Sequence, residues 1–279
     1  MPSSVRRLGA HDAGAVDRLL QSDPVVNVYL RSELRLGGLD HGERGTAGPG
    51  PWWGLDDAGE LRAVVAGGPL VVPWAPRRGD VETLAATLAR QARPRMIVGL
   101  RDQVLALHAA WQPALQAREI RDPQPLLVLR RDALCLEAAA EVRRAARTDL
   151  DRLVVAAAHM HREEMGIDPL TLDPSGWRGR MGLLIERGWS WVWVQGDDIV
   201  FKAELSAWTP ESVQVQGVWT APLLRGRGLA TAGLAAVCRE VLSTTAACQL
   251  YVNHYNAPAL AVYRRLGFEQ LADYATVIY

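Results

Sequence analysis

The residues best spaced for chemistry lie in two stretches, 212–236 and 249–268. In the first, an apolar run rich in β-branched residues, Val213 to Trp219, is followed by Pro222 and then by Arg225-Gly226-Arg227-Gly228-Leu229-Ala230. The run reads as a buried strand, which Pro222 ends because proline cannot donate to a ladder. The Ala/Leu-rich run from Leu229 to about Leu242 reads as a helix. Strand, glycine turn and helix aim several backbone N–H groups and a positive helix end at one point, an arrangement that holds a phosphate or pyrophosphate. Glycine at 226 and 228 keeps side chains from between those oxygens and the main chain, while Arg225 and Arg227 add charge-assisted donors. In the second stretch a short apolar strand, Gln249 to Asn253, leads to Asn256. A helical run, 257–266, follows, carrying Tyr263 and ending in Gly267-Phe268.

In this order and spacing the two stretches resemble the signatures of the GNAT superfamily of acyl-CoA-dependent N-acetyltransferases. Arg225 to Ala230 resembles its pyrophosphate loop. Asn256, Tyr263 and Gly267-Phe268 resemble its second signature. The resemblance implies acetyl-CoA as acyl donor, no metal, and direct transfer of an acetyl group to a primary amine of a small molecule or an N-terminus. It also implies that the pantetheine arm adds like a strand between two splayed central strands, against Val218, Trp219 and Thr220. The N–H near Val218 would face the thioester oxygen. Asn256 would bond the pantetheine, and Gly226, Arg227, Gly228, Leu229, Ala230 and Thr231 would hold the pyrophosphate beside Arg225. Tyr263 is the implied general acid, since a phenol near pKa 10 can protonate a departing thiolate.

The general base departs from the family pattern. The strands where many relatives carry a carboxylate offer Gln214, Gln216, Tyr251 and Asn253, none of them a base at neutral pH. Glu204 is the first substitute. Strand alternation puts Lys202 and Glu204 on one face and Phe201, Ala203 and Leu205 on the other. A sheet covered by helices on both sides leaves that pair partly buried, and buried charges are costly unless paired, whether they serve a site or only the structure. Lys202 and Glu164 are candidates for contact with the acceptor, and Glu163 borders the same region. A competing reading is a non-catalytic acyl-CoA-binding regulatory module, for which the missing carboxylates reflect lost chemistry. His159-x-His161 invites a metal reading, but i and i+2 on a helix point about 200° apart and cannot chelate together.

Stepwise along the chain, the first half reads as strand 5–8, helices 12–20 and 26–34, a glycine- and proline-rich loop from Gly37 to Pro51, and strands 52–55, 61–66 and 70–74. A helix capped by Asp80 and running to Gln91, strand 95–98, helix 102–111 and strand 125–129 complete it. The second half reads as strand 141–146, a helix capped by Thr148 and Asp151, helix 177–186, and strands 190–194, 199–205 and 213–219. The helix from Leu229, strand 249–253, helix 257–266 and a closing strand 276–279 follow. Both halves therefore show one β-α-α-β-β-β-α-β-α-β order, which is also the GNAT order. The expectation is a mixed α/β fold of tandem GNAT-like domains, each a twisted, mostly antiparallel sheet flanked by helices, with central strands splayed in the C-terminal copy. Residues 1–133 form a degenerate domain, because Val72-Pro73-Trp74-Ala75-Pro76 replaces the glycine turn. Residues 134–279 form the catalytic one, with a linker near 130–137.

Composition narrows the partners. Basic and acidic residues balance at 31 each, so nucleic acid and anionic membrane are unexpected partners. The N-terminal residues lack an apolar signal segment, which points to the cytoplasm. A monomer or a homodimer fits equally. Three cysteines, Cys135, Cys238 and Cys248, are too few and too badly spaced for a disulfide framework or zinc site and read as core residues. Lys202 is the only lysine; the other basic residues are all arginine.

Overall fold

The computed structural model describes residues 3–39, 50–89, 94–112, 115–134 and 139–279. The chain forms two compact units, one of Met1–Leu127, Tyr251–Ala257 and Gln270–Tyr279, the other of Val128–Leu250 and Pro258–Glu269.

In the first unit the elements are β1 (Ser4–Arg7), α1 (Ala13–Leu20), α2 (Val28–Gly37), β2 (Trp52–Asp57), β3 (Glu60–Ala66), β4 (Leu70–Trp74), α3 (Arg78–Leu88), β5 (Met96–Leu100), α4 (Arg101–Trp111) and β6 (Glu119–Arg130), of which the part to Leu127 belongs here. The second unit contains β7 (Arg143–Arg144), α5 (Leu150–Met165), α6 (Pro169–Leu172), α7 (Pro174–Glu186), β8 (Ser190–Gln195), β9 (Asp198–Trp208), β10 (Ser212–Thr220), α8 (Leu229–Leu242), β11 (Ala247–Tyr251) and α9 (Ala257–Leu266). The last strand, β12 (Glu269–Ile278), returns to the first unit, whose strand order is β1-β2-β3-β4-β5-β12-β6. It pairs antiparallel with β5 from Tyr274↔Leu100 to Ile278↔Met96. The short closing strand expected at 276–279 is thus the end of a longer strand, and it completes the first half rather than the second.

The second unit's strands run β7-β8-β9-β10-β11, antiparallel except for β10 and β11. Leu153, Val154 and Ala157 of α5 and Met181 and Leu184 of α7 pack with Val192, Ile199 and Trp219 on one face. On the other face α8 comes so close that a Cβ at Gly233 would stand 2.7 Å from the ring of Phe201. Alternate residues of β9 therefore face opposite layers, and Lys202, directly opposite Val192, faces α5 and α7.

Local corrections have local causes. The strand expected over 141–146 shrinks to Arg143–Arg144 at an exposed sheet edge. Thr148 and Asp151 do not cap α5. Asp149 occupies the N-cap position, and its carboxylate turns back from the helix, accepting the Ala146 N–H at 2.7 Å and the Arg143 guanidinium at 2.6 and 2.9 Å. Asp80 lies inside the first turn of α3, not at its cap, with Arg62 Nε at 3.4 Å. The predicted end of that helix at Gln91, loop residues 40–49, and 135–137 of the linker with Cys135 lie outside the described residues.

One repeat was missed. Val5-Arg6-Arg7 with Asp12 recurs as Val142-Arg143-Arg144 with Asp149. In the first copy Arg6 donates twice to Asp12, at 2.9 and 2.8 Å, and the Gly9 N–H donates to the same carboxylate at 2.9 Å. The Arg6 guanidinium outweighs the burial of Asp12 and holds its carboxyl at about 2. A carboxyl depressed on folding stabilises above its usual pKa, and that contribution is lost as pH falls from about 4 towards 2. Asp12→Asn is expected to cost about 2 kcal/mol at pH 7 and to flatten the stability curve across that acid window, read by urea denaturation at stepped pH.

Candidate active site

β10 and β11 begin as a parallel pair, Ser212↔Ala247 to Gln214↔Gln249, and the ladder stops there although β10 runs on to Thr220. The fork is spanned by a buried side-chain bond in which Gln249 Nε2 donates to Gln214 Oε1 at 3.0 Å. At the far end of β10, Trp219 Nε1 and Thr220 Oγ1 are buried with no partner among the described residues.

Beyond β10 the chain makes the glycine turn. Gly226 (φ +76°) and Gly228 (φ +84°) adopt left-handed backbone that L side chains rarely enter, and Gly228 is the N-cap of α8. No side chain caps this helix, so its first N–H groups keep their capacity for an anion. A Cβ at either glycine would meet nothing within 4 Å, so conformation and access, not crowding by the protein, demand glycine. Arg225 is held on both sides. Its Nε donates to Thr220 O at 3.0 Å and its Nη2 to Glu163 Oε2 at 2.6 Å, a half-exposed pair whose net worth is small.

The middle of β10 bulges. Gln216 pairs with Glu204 and Trp219 with Lys202, so two residues, Gly217 and Val218, stand against one, Ala203. Gly217 takes φ +60°, and a Cβ there would lie 3.0 Å from Glu204 Oε2 and 3.1 Å from Lys202 Nζ. Lys202 is fully buried and Glu204 nearly so; Nζ donates to Glu204 Oε1 at 2.7 Å and to Gly217 O at 3.0 Å. Glu204 thus delivers a carboxylate into space that a side chain at position 217 would occupy. An isolated glycine inside a β-branched strand is the sequence signal for such a bulge, and it went unread.

Tyr263 on α9 is buried beside Phe268, with ring centroids 5.7 Å apart. Burial pushes its phenol up, and the charge of Glu164, an exposed residue near the end of α5, adds to the push. The hydroxyl therefore stays protonated throughout the neutral range. Asn256 directly precedes α9 and belongs to the segment 251–257 of the first unit, where its N–H donates to Asn253 O at 2.9 Å.

Other polar side chains of these elements have partners of their own. His159 Nδ1 lies 2.8 Å from Arg162, and His161 packs on Trp177. His254 Nδ1 lies 3.0 Å from Pro123 O. Cys238 and Cys248 are buried with sulfurs 4.0 Å apart, and Trp191 is a core residue donating to Glu240 at 2.7 Å. No helix among the described residues is long and apolar enough to cross a membrane.

The first unit has a similar fork. β4 and β5 are paired in parallel only at Leu70↔Met96 and Val71↔Ile97. Next to it the buried carboxamide of Gln103 accepts from Ala75 N at 3.1 Å and donates to Ala75 O at 2.8 Å, beside a cavity of about 420 Å³ lined by Ala75, Pro76, Leu100 and Gln103. Splayed strands were expected in the second half, and the first half has a similar pair.

A forked parallel pair closed by a glycine turn and a helix is the core of the GNAT acetyltransferase fold. Residues 150–268 match the Acetyltransferase (GNAT) family model, and this region is a GNAT domain. Residues 50–153 match a domain of unknown function (DUF4081). A GNAT-family acetyltransferase from Colwellia psychrerythraea matches 99% of this chain and 99% of its own, with a TM-score of 0.62 at 11% identity. A tandem GNAT protein from the clavulanic acid biosynthesis pathway matches 99% of this chain and 98% of its own, with a TM-score of 0.59 at 15% identity. A GCN5-related N-acetyltransferase from Sphaerobacter thermophilus matches 99% of this chain and 94% of its own, with a TM-score of 0.58 at 16% identity. These likenesses show the fold, which is that of tandem GNAT halves in a mixed α/β chain. No curated protein matches the sequence.

Proposed function

We propose that the second unit is an acetyl-CoA-dependent N-acetyltransferase domain that acts by direct transfer on a primary amine of a small molecule or an N-terminus. Acetyl-CoA supplies an activated acyl thioester. The uncapped start of α8 with Gly226, Arg227, Gly228, Leu229, Ala230 and Thr231 holds its pyrophosphate, aided by Arg225. Val218, Trp219 and Thr220 hold the arm. Glu204 accepts the proton of the incoming amine, Glu164 draws a cationic acceptor to the rim, and Tyr263 supplies a proton to the leaving sulfur. The observation that carries this reading is the placement of Glu204 beside Gly217, on the bulge of the strand that leads into the glycine turn. It answers the missing carboxylate on β10 with one from the neighbouring strand.

The first unit serves as a degenerate partner domain, since Gln103 already bonds both backbone groups of Ala75 and two prolines flank that turn. Calorimetric titration with acetyl-CoA followed by an amine screen tests both statements. One site per chain with turnover supports them. Two sites refute the degenerate reading, binding without turnover favours a regulatory module, and no binding removes the enzyme assignment. Tyr263→Phe is expected to keep acetyl-CoA affinity within about threefold and to lower kcat by about 10- to 100-fold. Steady-state kinetics beside calorimetry separate the two effects; equal kcat would leave Tyr263 a packing residue.

A further inference from the structure

The chain uses arginine for every cation but one, and that one is fully buried at the bulge. Burying an ammonium is costly, so the bonds it makes define its use. One goes to Glu204 and the other to the carbonyl of Gly217, a residue for which the β9 ladder offers no register partner. A trans peptide points its C=O and N–H in opposite directions. Holding Gly217 O on Lys202 therefore turns the Val218 N–H away from the Lys202–Glu204 pair.

Resting on the transferase reading above, we infer that Lys202 is a positioning residue whose ammonium sets the Gly217–Val218 peptide so that the Val218 N–H serves as donor to the acyl oxygen, and at the same time fixes the Glu204 carboxylate. One buried cation thus aligns the two groups that act on opposite sides of the transfer. Lysine suits the task because its three protons radiate from one compact charge. A planar guanidinium needs more room, and at this position even an added methyl at Gly217 would lie 3.1 Å from Nζ. Contact with the acceptor, the other role open to Lys202, does not follow from a side chain with no exposed surface.

The test is a double-mutant cycle on the full chain with Lys202→Met, Glu204→Gln and the two combined. Kinetics and acetyl-CoA calorimetry are run on each, with thermal denaturation to score folding. The combined variant carries neither charge and so leaves no unpaired ion in the core. If Lys202 sets the peptide, the combined variant turns over about 10-fold or more slower than Glu204→Gln alone, with acetyl-CoA affinity unchanged. In ¹⁵N-labelled wild type, acetyl-CoA shifts the Val218 amide resonance downfield; in the combined variant it binds without that shift. Lys202→Arg should not rescue either signal. Equal rates for the combined variant and Glu204→Gln, with the same Val218 shift in both, overturn the inference while leaving the transferase reading standing. Wild type that fails to bind acetyl-CoA overturns both.

Discussion

Glu204→Gln is expected to slow acetyl transfer by about 10²- to 10⁴-fold while acetyl-CoA affinity stays within about threefold. The carboxamide keeps an acceptor for Lys202 Nζ, so the 2.7 Å contact has a substitute, but it takes no proton from an amine. The same change leaves a fully buried ammonium without its counter-ion, and a thermal shift accompanies it, since an unpaired buried charge costs about 3–5 kcal/mol. Measuring kcat at a temperature well below the variant's melting point separates chemistry from unfolding. A variant that folds, binds and turns over at the wild-type rate would show that the pair is structural and that the base lies elsewhere.

Gly228→Val should abolish measurable acetyl-CoA binding, a loss of about 100-fold or more in affinity. A β-branched residue at φ +84° is a backbone outlier that costs about 1–3 kcal/mol, and the turn escapes that strain by moving away from the geometry that aims the α8 N–H groups. Because a Cβ at 228 would touch no protein atom within 4 Å, the loss belongs to the turn's conformation and to access for the anion. Gly228→Ala, strained but smaller, should fall between. Calorimetry beside thermal denaturation checks the series; a Gly228→Val protein that binds like wild type would mean that the phosphates sit elsewhere.

What the sequence made legible follows from where local chemistry decides structure. The helices 229–242 and 257–266 were legible because a glycine turn, an Ala/Leu run and a terminal Gly-Phe bracket them. Alternation along β9 put Lys202 and Glu204 on one face, and the structure pairs them there. The bulge that brings them to Gly217 comes from register between two strands, which no single segment encodes, although the glycine hinted at it. The start of α5 was misread because Thr148 and Asp151 offered a familiar pattern, while the carboxylate at the N-cap, Asp149, turns back to Arg143 and Ala146. The destination of β12 was beyond local reading altogether. Its apolar residues announce a strand, but partner choice among sheet edges is a long-range packing outcome.

That strand has a consequence for how the polypeptide is made. During synthesis β5 and β6 leave the ribosome long before the strand that lies between them, so the first unit waits for almost the whole chain before its sheet can close. Until then the nascent protein carries an open seam at Ile97 and Val98, residues that end up buried. A fragment cut at the midpoint inherits that seam permanently, which makes the two halves, alike as they are, poor candidates for separation.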